Sequence, residues 1–213
     1  MHKRRSRMAA LQTRGGSPPD RPDPVADAPH GGVAIDRFHV ITGGPGSGKS
    51  TLLEALASRG LATTEEAGRA IIRAETAAGG KALPWADRSA FADAMLDFEI
   101  RNHLNARHRC GPVFFDRGVP DVAGYLTLSD LPIPDFVEKA CIRYRYAPTV
   151  FIAPPWPEIY ATDTERRQDL AEAIRTFEAM VATYSRLGYR LVELPRVPVD
   201  VRADFVLDRI AAT

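Results

Sequence analysis

Phe38-His39-Val40-Ile41-Thr42 runs into Gly43-Gly44-Pro45-Gly46-Ser47-Gly48-Lys49-Ser50, and then into Thr51-Leu52-Leu53-Glu54-Ala55-Leu56-Ala57. The first run is short and apolar, as a strand buried on both faces of a parallel sheet requires. The last has apolar residues at helical spacing. Between them stands the pattern G-x-x-x-x-G-K-S of a phosphate-binding loop, in its required strand–loop–helix context. Gly43, Gly44, Gly46 and Gly48 let backbone N–H groups curl inward around phosphate oxygens, with Pro45 and Ser47 between them. Lys49 adds a point charge that reaches the β- and γ-phosphates. Ser50 offers a hydroxyl to Mg²⁺, and Thr51 continues the helix whose positive end faces the phosphates. A glycine-rich turn with an incidental lysine would not explain the flanking strand and helix.

Working outward, the 213 residues suit one domain of moderate size, and 45% hydrophobic with 26% charged residues is ordinary globular composition. A net charge of +1 gives no global electrostatic case for nucleic acid or an anionic membrane. No apolar run approaches the ~20 residues of a membrane span. Cys110 and Cys141 make no metal spacing, and as two free packing thiols they fit a reducing cytoplasm. Residues 1–32 are basic at the start (Lys3, Arg4, Arg5, Arg7, Arg14), then rich in Gly, Pro and Asp, with no apolar periodicity. The expectation there is a disordered tail, and for residues 36–213 a single domain.

Within that domain the pattern alternates. Strands are predicted near 38–42, 61–64, 113–115, 149–152 and 189–194. Helices are predicted near 49–59, 66–78, 87–108, 119–128, 134–144, 165–187 and 199–210. Such alternation implies an α/β fold, a parallel sheet with helices on both faces.

Three further constellations carry chemistry. Phe114-Phe115-Asp116-Arg117-Gly118 ends an apolar strand in an acid, which places Asp116 where open α/β sheets bind ligands. Asp116 there holds Mg²⁺ or simply pairs with its neighbour; Arg117 forks onto a phosphate or carboxylate, and Gly118 allows a tight exit. Glu65-Glu66-Ala67-Gly68-Arg69 follows the second strand. Two readings stand side by side: a carboxylate that orients or deprotonates an acceptor hydroxyl with Arg69 on the acceptor's charge, or plain helix chemistry with Thr63 or Thr64 as N-cap. Thr162-Asp163-Thr164-Glu165-Arg166-Arg167 fits a capping box that sets two cations in a first helical turn, where the dipole disfavours them. Arg166 or Arg167 is therefore a candidate to neutralise transition-state charge, against the alternative of two solvated arginines. Trp85 and Trp156 read as packed aromatics, or as cover for an acceptor pocket and a hinge, respectively. Arg143-Tyr144-Arg145-Tyr146 reads as a solvated helix end.

In this order, the loop, Glu66-Ala67-Gly68-Arg69, Phe115-Asp116-Arg117-Gly118 and Glu165-Arg166-Arg167 resemble the bacterial AAA-type ATPase/kinase-like P-loop domains. That group includes the kinase domain of nicotinamide riboside kinase proteins and is similar to nucleoside and thymidylate kinases. The resemblance covers residues 36–212. It implies a three-layer P-loop NTPase fold with about five parallel strands, the Asp116 strand beside the loop strand. It implies ATP or GTP with Mg²⁺ on Ser50 and Asp116, Glu66 as base, and Arg117, Arg166 and Arg167 on phosphates. It implies residues 195–198 near the nucleotide base. The expected activity is Mg²⁺-dependent transfer of a phosphate to a small hydroxylated molecule such as a nucleoside or nucleotide. The alternative is a nucleotide-dependent regulatory switch with slow hydrolysis.

Overall fold

The computed structural model describes residues 35–159 and 170–212. A 3-10 turn at Ile35–Arg37 leads into β1 (Phe38–Gly43), all six residues of which are buried. The chain continues through α1 (Lys49–Ser58), β2 (Ala62–Thr63), α2 (Ala67–Ala78), α3 (Arg88–Ala106), β3 (Val113–Asp116), α4 (Val119–Leu128) and α5 (Asp135–Arg143). It ends with β4 (Thr149–Ala153), α6 (Leu170–Arg186), β5 (Arg190–Glu193) and α7 (Val199–Ala211). Five strands pair in parallel in the order β2-β3-β1-β4-β5.

The predicted alternation and the place of β3 beside β1 are both found. β1, β3 and β4 are continuous apolar runs because both their faces are covered. On one face Phe38, Val40, Val113, Phe115, Val150 and Ile152 pack under α3, α4, α5 and α6. On the other, Ile41, Phe114 and Phe151 pack with Leu52, Leu53 and Leu56 of α1 and Ala203 and Val206 of α7. The register sets Ile41 beside Asp116 and Gly43 beside Ala153, so the carboxyl ends of three strands converge on the loop. No described helix is long and apolar enough to cross a membrane.

Several local expectations are corrected. Neither Thr63 nor Thr64 caps α2: the N-cap is Glu66, with no side-chain cap bond, and the Thr64 hydroxyl instead accepts from the Asp116 N–H at 3.2 Å. Tyr144 and Tyr146 are 5% and 1% exposed, so the stretch after α5 is core and not a solvated end; they pack edge-on against His103. Trp85 is 67% exposed and does not pack. Cys141 is buried but Cys110 is exposed, so only one thiol packs. The basic stretch 1–32 lies outside the described residues, as does the capping-box segment from Thr162 to Arg167.

Candidate functional site

The phosphate loop is shaped by backbone standing against it. Gly43 has φ +128°, and a Cβ there would meet the Ala153 carbonyl at 2.3 Å. A Cβ on Gly44 would meet the Ala173 carbonyl of α6 at 2.4 Å. Neither neighbour can move aside without moving a strand or a helix, so these positions require glycine. Pro45 and Gly46 are half-buried, Ser47 is buried, and Gly48 caps α1 in the left-handed region at φ 75°. Ser50 is half-buried and Thr51 exposed on α1.

Lys49 is 6% exposed. Its Nζ donates to the Gly44 carbonyl at 2.6 Å and to Ser47 Oγ at 3.3 Å. Burial and the Arg117 charge lower its pKa to about 8, against Asp116, Glu66 and Asp121.

Beside the loop lies a cavity of about 250 Å³ lined by Ser50, Thr64, Glu66, Arg69, Arg73 and Asp116 among others. It therefore brings together the loop hydroxyl, the acid after β2 and the acid ending β3. Burial would raise the Glu66 carboxyl, but Arg117, Lys49 and Arg69 outweigh it and hold the group below its usual range. Arg69 Nε stands 2.9 Å from Glu66 Oε2, and Arg117 Nε 3.4 Å from Oε1. Asp116 is the opposite case. Burial and the Glu66 charge push it up to about 6, against Lys49 and Arg117. Its Oδ1 is buried with no hydrogen-bond partner among the described residues. A buried carboxylate oxygen left bare in a phosphate-loop cavity fits a divalent cation. No group of three or more described His, Cys, Asp or Glu residues surrounds it, so such an ion would take its other ligands from Ser50, water and substrate phosphate.

Arg117 corrects the expectation about its neighbour. Arg117, not Gly118, takes the left-handed conformation, at φ 73°. Gly118 is extended, and glycine is needed there because a Cβ would meet the Tyr146 ring at 2.9 Å. A long side chain at positive φ is strained backbone of the kind that accumulates at functional sites. The strain aims the guanidinium between Glu66 and Asp121, whose Oδ1 lies 3.2 Å from Nη1. The charges of Glu66, Asp121 and Asp116 raise the Arg117 pKa in spite of burial.

Asp121 escaped the sequence reading. It is 6% exposed and accepts from Thr42 Oγ1 (2.5 Å), Gly118 N (3.0 Å), Arg117 Nη1 (3.2 Å) and Tyr184 OH (2.6 Å). One carboxylate thus ties β1 just before the loop, the turn after β3 and helix α6. The available signal was its place three residues after the helix cap, where an acid reaches back to the cap N–H. Glu99 on α3 was missed as well. It is 2% exposed, and burial with the charges of Asp121 and Asp116 raises its pKa well above the usual range. Arg166 and Arg167 lie outside the described residues.

A parallel sheet in this order, with a glycine loop feeding a helix and an acid on the neighbouring strand, defines an α/β domain of the P-loop fold. A family profile described as AAA domain matches residues 38–202, and the chain belongs to that family. No curated protein sequence matches it. Among solved structures it resembles the NadR protein in complex with NR, at 20% identity and TM-score 0.64, over 84% of this chain and 52% of NadR. The chain therefore spans about half the length of NadR. It also resembles deoxyadenosine kinase from M. mycoides, at 12% identity and TM-score 0.59, over 83% of this chain and 100% of the kinase. Thymidylate kinase from Ehrlichia chaffeensis matches at 14% identity and TM-score 0.56, over 81% of this chain and 97% of the kinase. At these identities the likeness is one of fold.

Proposed function

We propose that the chain is a Mg²⁺-dependent phosphotransferase, moving the γ-phosphate of ATP or GTP to a hydroxyl of a small molecule such as a nucleoside or nucleotide. The observation that carries this reading is the shared cavity, in which Ser50, Glu66 and Asp116 face one space beside the loop. The loop amides and Lys49 bind the phosphates, and Lys49 exchanges the Gly44 carbonyl for phosphate oxygen. Ser50 and Asp116 hold Mg²⁺, which supplies charge neutralisation on the transferring group.

Glu66 divides the possible mechanisms. A strong general base needs a pKa near the working pH, and Glu66 is held below its usual range. Its carboxylate is better suited to accept the acceptor's O–H and hold that oxygen in line. A loose phosphoryl-transfer transition state asks for little more. Arg69 and Arg73, lining the same cavity on α2, suit an acceptor that carries negative charge. Assignment of Arg166 and Arg167 as closing arginines rests on their sequence motif. The absence of a spanning helix among the described residues suits a cytoplasmic setting.

The test is a phosphotransfer screen. Protein, ATP or GTP and Mg²⁺ meet a panel of nucleosides, nucleotides, vitamins and sugars, and mass spectrometry reads a phosphate-sized gain. A product is expected with the native chain, and Lys49→Ala should lower turnover by roughly a hundredfold or more while remaining folded. Tight nucleotide binding with no product across the panel would replace the kinase reading with the regulatory switch.

A further inference from the structure

One buried charge has no task in the mechanism above. Arg202 on α7 is 3% exposed. Its Nη2 donates to the Ser47 carbonyl at 3.2 Å and its Nη1 to the Gly48 carbonyl at 3.3 Å. Its guanidinium carbon lies 5.5 Å from the centroid of the Trp156 ring, just after β4. Nε has no hydrogen-bond partner, and among the described residues no carboxylate pairs with the group. Burial lowers the Arg202 pKa, and no charge among the described residues offsets it.

A buried cation is ordinarily paired. A phosphate loop turns its N–H groups inward, and that turns carbonyls outward, where each buried one needs a donor. The Gly48 carbonyl already accepts the Leu52 N–H of α1 at 3.2 Å, and Arg202 engages it a second time. The fit is close enough that a Cβ on Gly48 would stand 2.6 Å from Nη1.

We propose that Arg202 is the positioning residue of the phosphate loop: it fixes the Ser47 and Gly48 carbonyls outward and lends its charge, through those peptide groups, to a polyphosphate bound on the other side. Hydrogen bonds in series polarise one another, so a cation on the carbonyls strengthens the amides as donors. The anion that balances Arg202 is then the nucleotide's own triphosphate. This rests on the reading of the loop as a nucleotide site.

Inorganic tripolyphosphate with Mg²⁺ is the probe, because it reads the loop without the base, the ribose or the acceptor. Its affinity is measured by calorimetry, well below each protein's melting temperature, for the native chain, Arg202→Gln, Arg202→Lys and Trp156→Leu. Arg202→Gln should weaken binding about tenfold. Arg202→Lys should weaken it nearly as much, since one ammonium cannot fork two carbonyls. Trp156→Leu should fall between these and the native chain. With ATP, the loss should appear in KM more than in kcat. If Arg202→Gln does not fold, Arg202→Lys decides. A folded Arg202 variant that binds tripolyphosphate as the native chain does would overturn the inference and leave the kinase reading standing. A native chain that binds no tripolyphosphate would overturn both.

Discussion

The two flanks of the central strand are built differently. On the phosphate side, shape is held by backbone: Gly43 stands against Ala153, Gly44 against Ala173, and Ser47 and Gly48 are gripped by Arg202. On the α2 side, the cavity lining is held by charge. Glu66 shares Arg69 and Arg117, Arg73 pairs with Glu65, and Trp85 projects into solvent. Backbone contacts have no substitutes, whereas an ion pair can exchange a partner for a ligand group. The lesson is that the donor end of the proposed reaction is fixed by the fold, and the acceptor end is set by side chains that another sequence could change.

Gly44→Ala attacks the first flank where it has least room. The new methyl would lie 2.4 Å from the Ala173 carbonyl, so either the loop or α6 must move. Overpacking of this kind costs about 3 kcal/mol. Nucleotide binding should be lost, and the thermal midpoint should fall. An alanine variant that binds nucleotide normally would show that the loop is less constrained by α6 than the contact implies.

Glu66→Gln attacks the second flank and should leave the first alone. Arg117 keeps Asp121, and the loop contacts do not involve residue 66. Phosphotransfer should drop roughly a hundredfold, with nucleotide affinity little changed. Full transfer would return Glu66 to the role its backbone already plays, as the N-cap of α2. Loss of nucleotide binding would join the two flanks into one unit and end the distinction.

The same difference explains what could be read from the sequence. β1, the loop and α1 were legible because their determinants are local: an apolar run, glycines at fixed offsets, then helical spacing. β3 with Asp116 was legible for the same reason, and the alternation of elements gave the parallel sheet. The carboxylate of Asp121 was not, since Thr42 lies 79 residues before it and Tyr184 63 residues after it. Gly118 looked like the turn residue because glycine usually takes positive φ, yet tertiary contacts force Arg117 there instead. Thr64 looked like a cap because threonine caps helices, but β3 claims its hydroxyl. Arg202 carried a usable signal. It shares an α7 face with Ala203 and Val206, both wholly buried, so an arginine there was out of pattern.

The α2–α3 flank is nevertheless anchored, and pH offers the finest probe of how. Near the end of α3, His103 sits among Phe38, Phe115, Tyr144 and Tyr146, and its Nε2–H donates to the Arg145 carbonyl at 2.9 Å. Burial lowers its pKa to about 4, and burial does the same to His39 on β1, opposed only by Asp36. Both rings are therefore neutral in the folded chain where an unfolded histidine, with a pKa of 6.5, begins to take up a proton. The unfolded state binds more protons between these limits, so stability is full above pH 6.5 and is lost as pH falls toward 4, by as much as about 3 kcal/mol for each ring. His103→Gln keeps a donor for the Arg145 carbonyl and removes one of the two titrations. At neutral pH the variant should differ from the native chain by only about 1 kcal/mol. The raised carboxyls of Asp116 and Glu99 work the opposite way as pH falls, and equally in both proteins, so between pH 6.5 and 4 the variant's melting temperature should be less depressed by acid than the native chain's. An unchanged slope would assign the acid sensitivity to His39 and the loop strand, and would leave α3 held by apolar packing alone.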